Sequence, residues 1–270
     1  MAQSDDKAKG GAAERSSRLS SVTTAVRLLK MFSEGEAEIG VTSLAKRLGV
    51  AKSTVYRMAS TLVAEGMLEQ NPETEKYRLG IALFALGALV RQRMDLSNEG
   101  RPYIFNLREA TNETVHLAVL DRSEIMYVYD LESTQAIRMR ANLGARKPAL
   151  CTAEGRAILA FQPSEVVEPM LRESFRPRTP KTETKPDILR ARLAEVRELG
   201  FAREDEQSEL GMRSIAAPVR DSTGLVVGAV GMAGPLQRLS SETLAGYAPL
   251  VVETANAISL RLGYKTHASY

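Results

Sequence analysis

Two helical stretches joined at one glycine, TSLAKRLG (42–49) and AKSTVYRMASTLVAE (51–65), constrain this chain more than any other feature. Leu44, Ala45 and Leu48 share one side of the first stretch; Val55, Ala59 and Leu62, with Met58 near the edge, share one side of the second. Gly49 supplies the tight turn between them, and Thr42 is placed to cap the first helix. Val22, Ala25, Val26, Leu29 and Phe32 predict an earlier helix, followed by an acidic loop with Gly35 and Gly40. After the pair, MLEQNPETEKYRL divides at Asn71 and Pro72 into two short extended runs, a hairpin wing. The pattern predicts a winged helix-turn-helix.

In that arrangement the second helix is displayed. Lys52, Ser53, Tyr56, Arg57 and Ser60 form the stripe opposite the apolar face, with Thr54 at its border. Such side chains reach base edges and phosphates from a major groove. Lys46 and Arg47 on the preceding helix, and Lys76 and Arg78 on the wing, are expected at the DNA backbone; Arg78 alternatively anchors the hairpin. An ordinary solvated helix face is the competing reading of the stripe. The charge agrees with the first reading: residues 1–97 carry 14 Lys and Arg against 11 Asp and Glu, while the remainder balances at 22 against 22.

Cys151 is the one cysteine, so no intramolecular disulfide forms, and two histidines with it supply no zinc cluster. No metal or cofactor is expected. The polar N-terminus has no apolar signal core, and the greasy runs are too short or interrupted to span a bilayer. A cytoplasmic, soluble protein with no membrane partner is expected.

The expected organisation is a flexible tail (1–17), a DNA-binding domain (18–80), a connecting and dimerisation helix (81–98), a ligand domain (99–265) and a short tail (266–270). LGIALFALGALVRQRMDL carries a wider apolar surface than one supporting domain needs, which suits a partner chain; a buried connector in a monomer is the alternative. Past Asn98, a helix near 99–110 precedes the strands TVHLAVLD, EIMYVYDL and AIRMRANL. Helices near 152–161, 164–171 and 187–199 follow, then strands near 200–205, 212–220 and 225–233, and a helix from about 240 to 262. Short strands mixed with long helices make the fold class α+β, with an antiparallel sheet.

Two segments of this domain carry chemistry. In PALCTAEGRAI, Thr152 is a helix cap, Gly155 permits close packing, and the first amides of the helix offer donors to an anion; plain structural capping competes. In GMRSIAAPV, Gly211 allows close backbone approach, and Pro218 implies a strand edge or irregularity where a pocket opens. Cys151 raises an enzyme alternative, but no motif places His116 or His267 beside it as a base. The remaining alternative is a ligand sensor that binds no DNA.

TSLAKRLGVAKSTVYRM, KYRLG, PALCTAEGRAILA and GMRSIAAPVRDSTGLVVGAVGMAGP, in that order, resemble the IclR family of bacterial transcription regulators over nearly all of residues 20–263. The resemblance implies a winged helix-turn-helix, a connecting helix and a GAF-like effector domain in a homodimer or homotetramer on double-stranded operator DNA, and no enzyme. It places Ser214 beside a small-molecule effector, with Gly231 and Ala233 at positions that carry small polar groups in acid-binding relatives, and Glu204 nearby. Leu143, Gly144, Leu150, Cys151, Thr152 and Met212 complete the implied pocket. Leu150 departs from a frequent histidine or aromatic residue, while Cys151 and Arg156 fit the small and basic positions. Gly231 and Ala233 lack side-chain donors, so a less polar pocket is expected, suited to an aromatic or partly apolar carboxylate and to control of a catabolic operon. Arg138, Arg140 and Arg146 are candidate anion partners, with surface placement the alternative for the first two.

Overall fold

The computed structural model describes residues 21–33, 35–92, 95–140, 143–173 and 175–265. They form two compact units that divide between positions 93 and 94. Both expected tails and His267 lie outside the described residues.

The first unit contains α1 (21–29), α2 (Val41–Leu48), α3 (Lys52–Ala64), β1 (Leu68–Gln70), β2 (Tyr77–Leu79) and α4 (Ile81–Gln92). Leu28, Ile39, Leu44, Val55, Ala59, Leu68 and Tyr77 meet in its core, so the apolar faces of α2 and α3 are used as their spacing predicts. Gly49 ends α2 in the left-handed region (φ 67°) and donates its N–H to Ala45 O. β1 and β2 form the antiparallel wing, with Asn71 Oδ1 accepting the amides of Glu73 and Thr74 at its turn. Ile39 exchanges backbone hydrogen bonds with Tyr77 at 2.9 and 3.0 Å, tying the loop before α2 to the wing.

Thr42 does not cap α2. The helix begins at Val41, with Gly40 at the N-cap and no side-chain cap. The bridge at Ile39 holds the chain extended up to that residue, so the helix starts before Thr42 is reached. Of the predicted helix over 79–96, Leu79 belongs to the wing, α4 covers Ile81–Gln92, and α5 (Asp95–Thr111) buries Leu96 and Gly100 in the core of the second unit; positions 93 and 94 lie outside the described residues.

The second unit is a six-stranded sheet in the order β5-β4-β3-β8-β7-β6, antiparallel at every pairing. Its strands are β3 (Thr114–Asp121), β4 (Glu124–Leu131), β5 (Arg146–Pro148), β6 (Ala202–Asp205), β7 (Met212–Arg220) and β8 (Val226–Pro235). Val115, Leu117, Ile215, Ala217, Val219 and Val230 face α5 and α9 (Ser241–Arg261). Ala118, Ala216 and Ala229 face α6 (Ala153–Leu159), α7 (Ser164–Arg172) and α8 (Pro186–Leu199). Because helices cover both faces, β7 and β8 read as nearly unbroken apolar runs despite their antiparallel pairing.

The described run of AIRMRANL, residues 136–140, is not a strand. Residues 132–140 are irregular, and the third segment on β4 is β5. Its alternation has no second buried face: Ile137 is 73% exposed, and Arg138 and Arg140 both lie against Glu132. Side chains hold this backbone in place of a ladder, since Thr114 Oγ1 donates to Met139 O and Arg238 Nη1 to Ile137 O. Pro218 lies on an interior strand. β6 pairs with β7 only as far as Ala216, so the missing N–H of Pro218 falls beyond that neighbour, next to a register shift at Val219 and Arg220.

Candidate nucleic-acid interface and effector site

On α3, Val55 and Ala59 are fully buried while Lys52, Ser53, Tyr56, Arg57 and Ser60 are exposed and Thr54 is half-buried. The stripe proposed from spacing therefore lies on one open face of the unit. Lys46 and Lys76 are exposed as well. Arg47 instead forms a two-pronged pair with Glu36 at 2.6 and 2.7 Å, which holds that carboxyl below its usual range, and Arg78 pairs across the wing with Glu69 at 2.8 Å.

A second site lies on the sheet face beneath the start of α6. Across β3, β8, β7 and β6, Thr114, Ala233, Ser214 and Glu204 form one row; His116, Gly231 and Ala216 form the next. The turn η1 (Ala149–Cys151) leads into α6, where Thr152 Oγ1 accepts the Gly155 N–H, so the predicted cap is present. A Cβ at Gly155 would meet Ala149 O at 2.0 Å, so only glycine lets η1 fold back onto the helix. α6 then brings Glu154 down over the sheet, fully buried, with Oε1 3.0 Å from His116 Nδ1. Burial by itself would raise the Glu154 carboxyl, but the His116 hydrogen bond and charge outweigh it and hold the carboxyl below its usual range. A Cβ on Gly231 would come within 2.5 Å of the same Oε1.

Next to this pair, Glu204 Oε1 accepts the amides of Gln207 and Ser208 at 2.5 and 2.9 Å, and Oε2 accepts Ser214 Oγ at 3.1 Å. Burial pushes Glu204 upward against these donors and nearby Arg156. Arg156 is itself buried, donating to Leu150 O, Gln207 Oε1 and Arg203 O, and its burial brings the guanidinium down to about 10. Between these groups is a cavity of about 10 Å³, enough for one water, walled by His116, Tyr127, Thr152, Glu154, Ser208 and Ser214. Met139, Arg140, Lys147, Met212 and Ala233 complete the wall.

Of the residues predicted for the pocket, Thr152, Met212, Ser214 and Ala233 line this cavity, Glu204 supports Ser214, and Gly231 makes room for Glu154. Leu150 lines a separate cavity with Met170 and Phe175, and Leu143 is 58% exposed. Gly144 turns in the left-handed region and donates to Tyr127 O. The sequence reading passed over His116, Tyr127, Glu154 and Ser208, which make the wall rich in polar groups although Gly231 and Ala233 carry none. Glu154 carried a usable signal: a carboxylate in a short helix whose other residues, Arg156 apart, are small or apolar needs a buried partner once that helix is packed. Arg146 is engaged with Asp121 and Glu124, away from the cavity wall.

Cys151 is buried and donates to Pro148 O at 3.3 Å; burial pushes its thiol up to about 11. His116 is committed to Glu154 and so does not serve this sulfur as a base. Among the described residues no cluster of three metal ligands occurs, and no helix is long and apolar enough to cross a membrane.

A winged helix-turn-helix joined to an α+β unit with a buried polar cavity defines a ligand-responsive transcriptional regulator. The family model for the IclR helix-turn-helix domain matches residues 21–72, and that for the bacterial transcriptional regulator IclR C-terminal domain matches residues 88–260. The chain belongs to the IclR family, whose members are regulators and not enzymes. The HTH-type transcriptional regulator KdgR of Escherichia coli is 36% identical over 247 residues, 91% of this chain and 94% of that protein. An IclR transcriptional regulator from Silicibacter superposes with a TM-score of 0.79 at 29% identity, covering 93% of this chain and 99% of its own. An IclR homolog from Microbacterium hydrocarbonoxydans, complexed with 4-hydroxybenzoate, gives 0.79 at 27% identity, covering 90% and 98%.

Proposed function

We propose that this regulator binds a two-fold operator as a homodimer or homotetramer in the cytoplasm, and that a small carboxylate changes its DNA affinity. The observation that carries the DNA reading is the face of α3, where every exposed residue from Lys52 to Ser60 is polar or aromatic. Arg57, Lys52, Ser53, Tyr56 and Ser60 enter the major groove, with Thr54 at the border. Lys46 and Lys76 meet phosphates, and Arg47 and Arg78 approach them from their ion pairs. Residues 18–80 act as the DNA-binding domain and 99–265 as the effector domain. Residues 81–98 carry the contact with a second copy, a role supported by Ile81, Phe84, Leu86 and Leu89, exposed on α4. Two half-sites then read a symmetric operator, and the effector favours one spacing of the two readers.

The effector is an aromatic or partly apolar carboxylate, which the cavity of about 10 Å³ admits only by widening, and the genes controlled are those that consume it. Lys147 and Arg140 supply cations at the cavity wall, while Tyr127 and His116, with ring centroids 4.9 Å apart, and the two methionines supply apolar surface. The 4-hydroxybenzoate complex of the Microbacterium homolog supports this class. Selection of bound fragments from the native genome identifies the operator; mobility shifts with aromatic and small hydrophilic acids then rank effectors. Operator affinity that responds only to small hydrophilic acids overturns the aromatic assignment.

A further inference from the structure

Ser208 Oγ is the one buried side-chain oxygen among the described residues with no hydrogen-bond partner. The residue is 4% exposed and stands in the wall of the cavity beside Ser214 and Glu154. An orphaned buried hydroxyl is destabilising, so it calls for a second role.

Both other aliphatic hydroxyls in the wall are already committed. Thr152 Oγ1 donates to Ala149 O and accepts from Gly155, and Ser214 Oγ gives its proton to Glu204. The Ser208 proton is left over.

The turn that carries Ser208 is held from several sides. Its own amide is bound by Glu204 Oε1, Thr179 Oγ1 donates to Glu206 O, and Thr182 Oγ1 donates to Gln207 O. Gln207 Oε1 accepts from Arg156, and Lys181 pairs with Glu206. The backbone at Ser208 is therefore fixed, with the residue held in the wall of the cavity.

We propose that Ser208 is a specificity-determining residue that donates its hydroxyl proton to a second oxygen of the effector, selecting hydroxy- or oxo-carboxylates over carboxylates that lack it. This rests on the carboxylate reading above, in which Lys147 and Arg140 take the acid group. The arrangement is selective because a ligand without that oxygen leaves the Ser208 hydroxyl buried and unpaired.

The test uses the full chain and two matched pairs of probes, 4-hydroxybenzoate with benzoate and lactate with propionate, titrated by calorimetry. Wild type should favour the oxygenated member of at least one pair by about tenfold, the size of one net hydrogen bond. Ser208→Ala should reduce that preference to within about twofold while leaving the unoxygenated member's affinity unchanged. Without ligand, Ser208→Ala should melt at or above the wild-type temperature, since it removes an unpaired polar atom. An unchanged preference in Ser208→Ala, as expected if water alone satisfies the hydroxyl, overturns the proposal, and so does a lower melting temperature of the ligand-free variant. If wild type binds none of the four acids, the carboxylate reading itself fails and the proposal falls with it.

Discussion

His116 Nδ1 lies 3.0 Å from Glu154 Oε1, and both side chains are at least 96% buried. One is the third residue of β3 and the other lies in the first turn of α6, 38 residues later. Replacing His116 with Ala leaves the carboxylate buried without its partner, and unfolding free energy should fall by about 3 kcal/mol in urea titrations at pH 7. The Glu154 carboxyl titrates below its unfolded value of 4.5, so its contribution is present above that pH and is lost as pH falls through the folded value. Glu154→Gln should flatten the stability profile below pH 4.5; an acid limb identical to wild type would contradict the pairing.

Gly231→Ala places a methyl 2.5 Å from Glu154 Oε1 and should destabilise the domain by about 1–3 kcal/mol. Glu154→Ala removes the obstacle. In a double-mutant cycle the two changes should therefore couple by more than 1 kcal/mol, whereas additive losses would place the strain of Gly231→Ala elsewhere.

Arg57→Ala should cost about 1–3 kcal/mol of discrimination between operator and altered operator if Arg57 holds a guanine edge. Lys52→Ala should weaken cognate and unrelated DNA alike and reduce the slope of log affinity against log salt by about 1. Mobility shifts across a salt series check both, and unchanged operator binding in both variants would remove α3 from the interface.

The Cys151 thiol, pushed up to about 11 and sealed by its bond to Pro148 O, should stay protonated at neutral pH. Reaction of native protein with a thiol-specific disulfide reagent at pH 7.5 should run at the rate of unfolding and accelerate in denaturant. Cys151→Ala should leave DNA binding within about twofold of wild type. Rapid labelling of the folded protein would show an accessible, activated sulfur.

The local pattern of the chain determined its elements wherever one face had to be buried. The spacing of Leu44, Ala45, Val55 and Ala59 fixed α2 and α3, and the runs TVHLAVLD and EIMYVYDL coincide with β3 and β4. Where local and distant demands differed, the distant ones decided. Thr42 lost its cap role to a bridge between Ile39 and Tyr77, and the alternation in AIRMRANL gave way to ties from Thr114 and Arg238.

The cavity shows the same division more sharply. Periodicity placed His116 on β3 and Glu154 on α6, and the family resemblance brought Ser214, Gly231 and Ala233 to one pocket. Nothing local says that His116 and Glu154 meet or that Gly231 is small to admit a carboxylate; that pairing depends on strand order, with β3 beside β8 across 110 residues of chain. The sequence by itself determined which faces are apolar, because burial follows a helical or strand period. Only the tertiary structure decided which buried polar groups are partners, because hydrogen bonds between distant segments exist only once the sheet has set its register.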